Sequence, residues 1–170
     1  MNQQLEHHQV GHKPTKAKLT LVIPDLSSPA NLGSIFRIAD AFGVQSVFLT
    51  EDVQQLMQSN RFKRTSRSTE KYISTKLFNS IENLREQLQD DGNQLIALEL
   101  TKKSENISTY HFKNQNIALI IGHEKMGLSE DLLKQIETHL HINMYGNNSS
   151  LNVAQSLGIA LYEISKQSNV

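Results

Sequence analysis

Three stretches carry residue types that could do chemistry. Asn31-Leu32-Gly33-Ser34-Ile35-Phe36-Arg37 places an amide, a glycine and a guanidinium at fixed intervals. Gly122-His123-Glu124-Lys125-Met126-Gly127-Leu128 holds an imidazole and a carboxylate between two glycines. Ile142-Asn143-Met144-Tyr145-Gly146 runs through Asn147 and Asn148 into Ser149-Ser150-Leu151-Asn152-Val153. In this last stretch Gly146, Asn147 and Asn148 tolerate turn or left-handed backbone, and Ser149 and Ser150 are candidate N-caps of a helix that starts at once. A polar loop pinned between a buried strand and a buried helix can present backbone N–H and C=O groups to a ligand, with the helix N-terminus adding positive potential. The same string also reads as an ordinary strand–turn–helix connection. Arg37 has two readings as well: a group directed at phosphate or ribose, or a helix arginine whose stem packs while its head reaches water.

A fourth stretch is basic. From Arg61 to Lys76 there are six Lys/Arg (61, 63, 64, 67, 71 and 76) against the single acid Glu70, a net charge of +5. Hydroxyl side chains interleave with Arg61, Lys63, Arg64, Arg67 and Lys71, and Phe62 and Tyr72 could stack on bases. That composition suits a phosphate backbone, and the bland alternative is a solvated loop. The chain as a whole is neutral, with 17 Lys+Arg against 17 Asp+Glu, so any nucleic-acid partner must be held by such a local patch.

With 170 residues and no cysteine, the chain reads as one domain over 19–170 preceded by a loose polar arm over 1–18. Lack of cysteine excludes disulfides, thiolate catalysis and Cys-based zinc sites. His7, His8 and His12 lie close together in the arm, but they lack a carboxylate pattern, and no metal is expected. No apolar run is long enough to span a bilayer, and the N-terminus has no apolar signal core, so the cytoplasm is the expected location, with no membrane partner.

These stretches need elements to position them. Leu19–Ile23 is a strand, Asp25 to Gly33 a turn-rich loop, and Ile35, Ile38, Ala39 and Phe42 the apolar stripe of a helix ended by Gly43. Val44 to Thr50 is the next strand, which makes a βαβ unit and favours a parallel sheet. A short helix over 51–58 and a strand from Tyr72 to Phe78 follow. Asn79 then reads as the N-cap of a helix, with Glu82 at N3 and Ile81, Leu84 and Leu88 facing inward, stopped by Gly92. Gln94 to Leu100 is a strand, and Ile117–Ile121 is an unbroken apolar run buried on both faces. Ser129 caps a helix carrying Glu130 and Asp131 in its first turn, and His139 to Met144 is the last strand. Val153, Leu157, Ala160, Leu161 and Ile164 make one face of the final helix.

Taken in order, the three chemical stretches match N-x-G-x-x-x-R, G-x-E-x-x-G-[LI] and I-x-M-x-G…S-L-N-V. From about Leu19 to Lys166 the chain thereby resembles the SpoU/TrmH family of RNA 2′-O-ribose methyltransferases, within the SPOUT superfamily. The resemblance implies an α/β fold, a parallel sheet flanked by helices, with a C-terminal deep trefoil knot whose loops bind S-adenosylmethionine, and it implies a homodimer. It implies cofactor contacts at Leu98, Gly122, Ile142, Met144 and Leu151, and a reaction and ribose-positioning site of Asn31, Arg37, Glu124, Ser150 and Asn152. Asn143 departs from the family pattern, standing where many relatives have proline. Many relatives also carry an added RNA-binding domain; here that is expected to be absent or reduced to the short arm. Transfer RNA is the expected substrate, ribosomal RNA the second choice.

Methyl transfer from a sulfonium to an alcohol needs alignment and removal of the 2′-OH proton, with no metal and no acid for the leaving group. Arginine, with a pKa above about 12, is a poor free base. The favoured role for Arg37 is therefore to bind the adjacent phosphate and orient the hydroxyl; a deprotonated Arg37 acting as base is the alternative. The rival reading of the chain is a non-catalytic RNA-binding or ribosome-assembly module that keeps the fold. The chain lacks G-x-G-x-x-G, G-x-x-x-x-G-K-[ST] and G-x-S-x-G, which argues against other nucleotide-binding enzymes and serine hydrolases.

Overall fold

Apolar runs without polar alternation call for strands covered on both faces, and that is how the chain folds. The computed structural model describes residue 11 and residues 16–168. The arm therefore falls almost wholly outside the described residues, as do His7, His8 and His12. Strands β1 (Lys18–Ile23), β2 (Val44–Leu49), β3 (Ser74–Leu77), β4 (Gln94–Leu98), β5 (Glu105–Asn106), β6 (Asn116–Ile121) and β7 (Thr138–His141) form one sheet in the order β3-β2-β1-β6-β4-β7-β5. All of its pairings are parallel. The helices are α1 (Pro29–Ala41), α2 (Glu51–Gln55), α3 (Asn60–Ser66), α4 (Ile81–Asp90), α5 (Glu130–Gln135) and α6 (Val153–Ser168).

β6 is the central strand, and its side chains divide the core. Ile117, Leu119 and Ile121 join one apolar layer with Ile35 and Phe36 of α1, Phe62 of α3 and Leu157 and Leu161 of α6. Ala118 and Ile120 join the other, with Leu84 and Leu88 of α4 and Leu132 of α5. Helices thus cover both faces, as the period-2 alternation of a buried parallel strand requires.

Several boundaries differ from the expectation, each for a local reason. The helix after β1 starts at Pro29, not near Ile35, so Asn31 and Gly33 belong to its first turns. Ser28 caps it by accepting the Asn31 N–H at 3.3 Å, and proline suits N1 because that position lacks an intrahelical N–H bond anyway. The cap of α4 is Ser80, not Asn79. Its hydroxyl accepts the Asn83 N–H at 3.2 Å and donates to Glu82 at 2.9 Å, which places Glu82 at N2. Neither Ser149 nor Ser150 caps α6. Asn152 does so, accepting the Ala154 N–H on Oδ1 at 2.9 Å, while its carbonyl takes the Ser156 N–H. β7 ends at His141 and β4 at Leu98, each shorter than the apolar pattern implied. Within the basic stretch, residues 60–66 form α3.

Gly33 is where α1 and α3 touch. A Cβ there would lie 2.7 Å from Thr65 Cβ, 2.8 Å from the Phe62 carbonyl oxygen and 2.9 Å from the Ser66 nitrogen. The approach also sets the Phe36 and Phe62 rings edge to face, with centroids 5.6 Å apart. Gly33→Ala would gain about 1 kcal/mol of helix propensity, but backbone atoms cannot swing away from the added methyl, and overpacking costs about 1–3 kcal/mol. The clash should win: the variant's Tm should fall by several °C, at about 2–4 °C per kcal/mol for a chain of this size. A Tm equal to or above wild type would mean that the α1–α3 contact is looser than described.

Candidate active site

In a parallel sheet the carboxyl ends of the strands point their loops the same way, and ligands collect there. Leu98 at the end of β4 pairs with Ile121 at the end of β6, and Leu98 pairs with Leu140 of β7 on its other side. The three chains therefore leave the sheet side by side, at Glu99, Gly122 and His141-Ile142. Between them lies a cleft of about 240 Å³. Leu98, Gly122, Ile142, Met144 and Leu151 all line it, and so do Glu124 and Ser150.

The loop after β6 is closed on itself. His123 and Gly127 exchange backbone hydrogen bonds of 3.1 and 2.9 Å, and Gly127 takes a left-handed φ of 65° that favours glycine. A Cβ on Gly122 would stand 2.4 Å from the Gly127 carbonyl carbon, so the loop can fold over only a glycine. Within it, His123 Nδ1 accepts the N–H groups of Lys125 at 3.1 Å and Met126 at 3.4 Å. That leaves its proton on Nε2, which lies 3.5 Å from Glu124 Oε2.

Glu124 reaches across to the N-terminus of α1. Its Oε1 accepts the Ser28 N–H at 2.9 Å and the Asn31 Nδ2–H at 3.0 Å; its Oε2 accepts the Ser27 N–H and hydroxyl, both at 3.2 Å. Asn31 Oδ1 in turn accepts from Asn152 Nδ2 at 3.0 Å. The direction of this chain of bonds is fixed at both ends, because the Ala154 N–H can only donate and the Glu124 carboxylate only accepts. Both asparagines are locked in one orientation, and three segments far apart in sequence are tied together.

Of the residues expected at the reaction site, Asn31, Glu124 and Asn152 are therefore in contact. Ser150 is exposed at the cleft wall. Arg37 is exposed on α1, apart from this network and from the cleft; among the described residues nothing hydrogen-bonds or ion-pairs its guanidinium. An exposed, unengaged guanidinium is open to water and to a phosphate alike. Arg61, Lys63, Arg64, Arg67 and Lys71 are all exposed, on α3 and the turn after it. Arg67 and Ser68 in the middle of that surface have φ of 52° and 68°, left-handed backbone that costs non-glycine residues about 1–3 kcal/mol each. Tyr72 is 77% exposed, whereas Phe62 is 1% exposed against Phe36 and cannot stack on a base. Sequence reading assigned no specific role to Ser27, Ser28, His123 or Glu99. Ser28 before Pro29 was a readable cap signal, whereas Glu99, inside an expected strand, gave none.

Burial pushes the Glu124 carboxyl up, but the hydrogen bonds outweigh it: its own backbone N–H, the Asn31 amide and the N–H groups of Ser27 and Ser28 hold its pKa below the ordinary value of 4.5. A folded pKa below the unfolded one means that this stabilisation is present above pH 4.5 and is lost as pH falls through the depressed value. Glu124→Gln keeps one acceptor and turns a donor toward the Ser27 or Ser28 N–H. It should cost about 1–3 kcal/mol near neutral pH and flatten the acid limb of stability measured by denaturant midpoint. An acid limb as steep as wild type would show that Glu124 does not carry it.

Comparison with known proteins bears on this arrangement. Residues 18–162 match the SpoU rRNA Methylase family. An uncharacterized tRNA/rRNA methyltransferase of Synechocystis is 32% identical over 154 residues, covering 91% of this chain and 55% of the relative. The 23S rRNA (guanosine-2′-O-)-methyltransferase of Acinetobacter baylyi is 29% identical, covering 88% of this chain and 60% of the relative. The chain spans about 55–64% of the length of such curated relatives. Among solved structures, an AdoMet-bound rRNA methyltransferase from Sinorhizobium meliloti superposes with a TM-score of 0.77 at 27% identity, over 88% of this chain and 56% of that one. A structure concerned with the 2-OH methylation of C/U34 on tRNA also gives 0.77, at 29% identity, over 89% of this chain and 97% of that one. A parallel sheet flanked by helices, three motif segments joined by hydrogen bonds and a match over most of the length lead to one conclusion: the chain belongs to the SpoU rRNA methylase family.

Proposed function

We propose that the chain, as one domain over residues 19–170, transfers a methyl group from S-adenosylmethionine to a ribose 2′-OH of RNA. The observation that carries this reading is the cleft at the carboxyl edge of the sheet, walled by the segments that follow β4, β6 and β7 and flanked by the Glu124–Asn31–Asn152 chain. Apolar Leu98, Ile121, Ile142 and Met144 offer a flat base a dry wall, while backbone groups of the loops offer it hydrogen bonds. The apolar wall and the polar groups of the loops together fit an adenosyl group. When bound, the cofactor supplies a methyl on a sulfonium, and its departure leaves a neutral thioether.

The chain's own residues have the task of alignment. Glu124 has both oxygens engaged and acts as a positioning residue, holding Asn31 and the start of α1 against the loop after β6. Asn152 fixes the start of α6, and with it Ser150 and Leu151 at the cleft wall. Arg37 has an unengaged guanidinium suited to a phosphate beside the target ribose, where it orients the hydroxyl; that phosphate or solvent takes the proton.

Two finer features belong to the same reading. Residues 142–152 leave β7, wall the cleft beside the loop after β6 and turn into α6, a path that supports the C-terminal trefoil knot. The exposed side chains of Leu151, just before α6, and of Ile159 and Tyr162 beside Gly158 on α6 support a homodimer. α6 packs on α1, so a two-fold pairing there would carry Arg37 of one protomer toward its partner's cleft. For the RNA, the near-complete mutual coverage with the structure concerned with C/U34 of tRNA supports transfer RNA, with ribosomal RNA second in view of the ribosomal relatives. Among the described residues no helix is long and apolar enough to cross a membrane; a cytoplasmic location is proposed with the RNA substrate.

Labelled S-adenosylmethionine and total RNA test the reading directly. Label should enter RNA, and alkaline digestion should leave it in a dinucleotide, because a methylated 2′-oxygen blocks cleavage. Label on a base, or none, would overturn the proposal. Arg37→Ala should keep the wild-type Tm and cofactor affinity yet lose most transfer; a collapse in Tm would make the arginine structural.

Neutralising any of Arg61, Lys63, Arg64 or Arg67 should weaken RNA binding at every sequence and lower the salt slope by about one unit per lost phosphate contact. Unchanged slopes for all four would demote the basic surface to a solvated face.

A further inference from the structure

Glu99 takes no part in the Glu124 network, yet it lines the same cleft. It follows Leu98 directly, and its carboxylate crosses from β4 to the loop after β6. Oε1 accepts the Leu100 N–H at 3.0 Å, and Oε2 accepts the Leu128 N–H at 3.1 Å. A Cβ on Gly127 would come within 2.4 Å of Oε2, so the glycine is what admits the carboxylate. Among the described residues no basic side chain pairs with it. A carboxylate offers about four acceptor directions. Two are taken by backbone, and those left over belong to a rigid, half-buried group at a ligand-sized cleft.

A ligand that uses both oxygens must bring two donors side by side. A ribose cis-diol does this, and carboxylates at the carboxyl ends of parallel strands recognise nucleotide ribose in that way. Resting on the cofactor reading above, we infer that Glu99 holds the adenosyl ribose of the cofactor through its 2′- and 3′-hydroxyls. The other donor on the same ligand is the α-ammonium of the methionine tail. Placement favours the ribose. Glu99 adjoins Leu98, part of the apolar wall for the base, and the sugar is bonded directly to the base, whereas the ammonium lies several bonds beyond the sulfur. The carboxylate does two things at once: it ties β4 to the loop after β6, and it selects a ribonucleoside.

Calorimetry with three ligands separates these roles: S-adenosylhomocysteine, its 2′,3′-dideoxy analogue, and 5′-methylthioadenosine, which keeps the ribose and lacks the amino acid. Glu99→Gln should weaken S-adenosylhomocysteine and 5′-methylthioadenosine about tenfold or more, as expected for losing hydrogen bonds to a charged acceptor. The dideoxy analogue should bind variant and wild type alike, because the partner of the carboxylate is already missing. Glu99→Asp, which keeps the charge and withdraws it by one methylene, should give a smaller loss with the same ligand pattern, and it carries the test if the glutamine variant does not fold. An equal penalty on the dideoxy analogue would reduce Glu99 to a loop tie. A penalty absent with 5′-methylthioadenosine would assign it to the ammonium. If wild type binds none of the three ligands, the cofactor reading falls, and the Glu99 assignment falls with it.

Discussion

The side chain of Asn31 is the contact on which the candidate site depends. It is a single amide, donating to Glu124 at 3.0 Å and accepting from Asn152 at 3.0 Å, and it can do both only in one orientation. Through it, the N-terminus of α1, the loop after β6 and the N-terminus of α6 become one polar unit, although Asn31 lies 93 residues from Glu124 and 121 from Asn152 in sequence. The network is also closed electrically. The charge of Glu124 is spread over backbone N–H groups of Ser27 and Ser28 and the Asn31 amide, so no cation is needed to hold it ionised. Such a network is valuable when complete and costly when half satisfied. That is why a carboxylate so well engaged serves as an anchor in this account and not as a base.

The rest of the fold brings these three segments to one place. β4, β6 and β7 are parallel neighbours with ends in register, so Leu98, Ile121 and Leu140 stop at one level. The basic surface is fixed to the same frame from the other side. Phe62 is sunk beside Phe36, and Gly33 lets α3 lie directly on α1, the helix that carries both Asn31 and Arg37. The cations of α3 are thereby held at a set distance from the site instead of waving on a loop.

Much of this was legible in residue order. Ile117–Ile121 reads as a central strand because nothing polar interrupts it, and β6 is central. Gly43 and Gly92 mark helix ends and indeed take φ of 70° and 77°. Local signals failed where tertiary partners decide. Ser149 and Ser150 look like caps, yet Asn152 caps α6, its amide already held by Asn31. Phe62 sits among cations and looked exposed, but a glycine on another helix made room to bury it. Glu99 is invisible in sequence because its environment is assembled from Leu128 and Gly127, far along the chain. The three motifs were visible as strings; the donor–acceptor direction that links them exists only in three dimensions.

The most direct measurement is a reciprocal exchange between Asn31 and Glu124, read by Tm and by methyl transfer to RNA. Asn31→Asp still accepts from Asn152 but sets a second carboxylate against Glu124, where the wild type has a donor. It should lose stability and most activity. Adding Glu124→Gln restores a donor and an acceptor between the two positions, so the double variant should recover part of both losses, with a coupling on the order of 1–3 kcal/mol in stability. Losses that simply add, with no recovery in either readout, would contradict the claim that the hydrogen bond from Asn31 to Glu124 holds the site together.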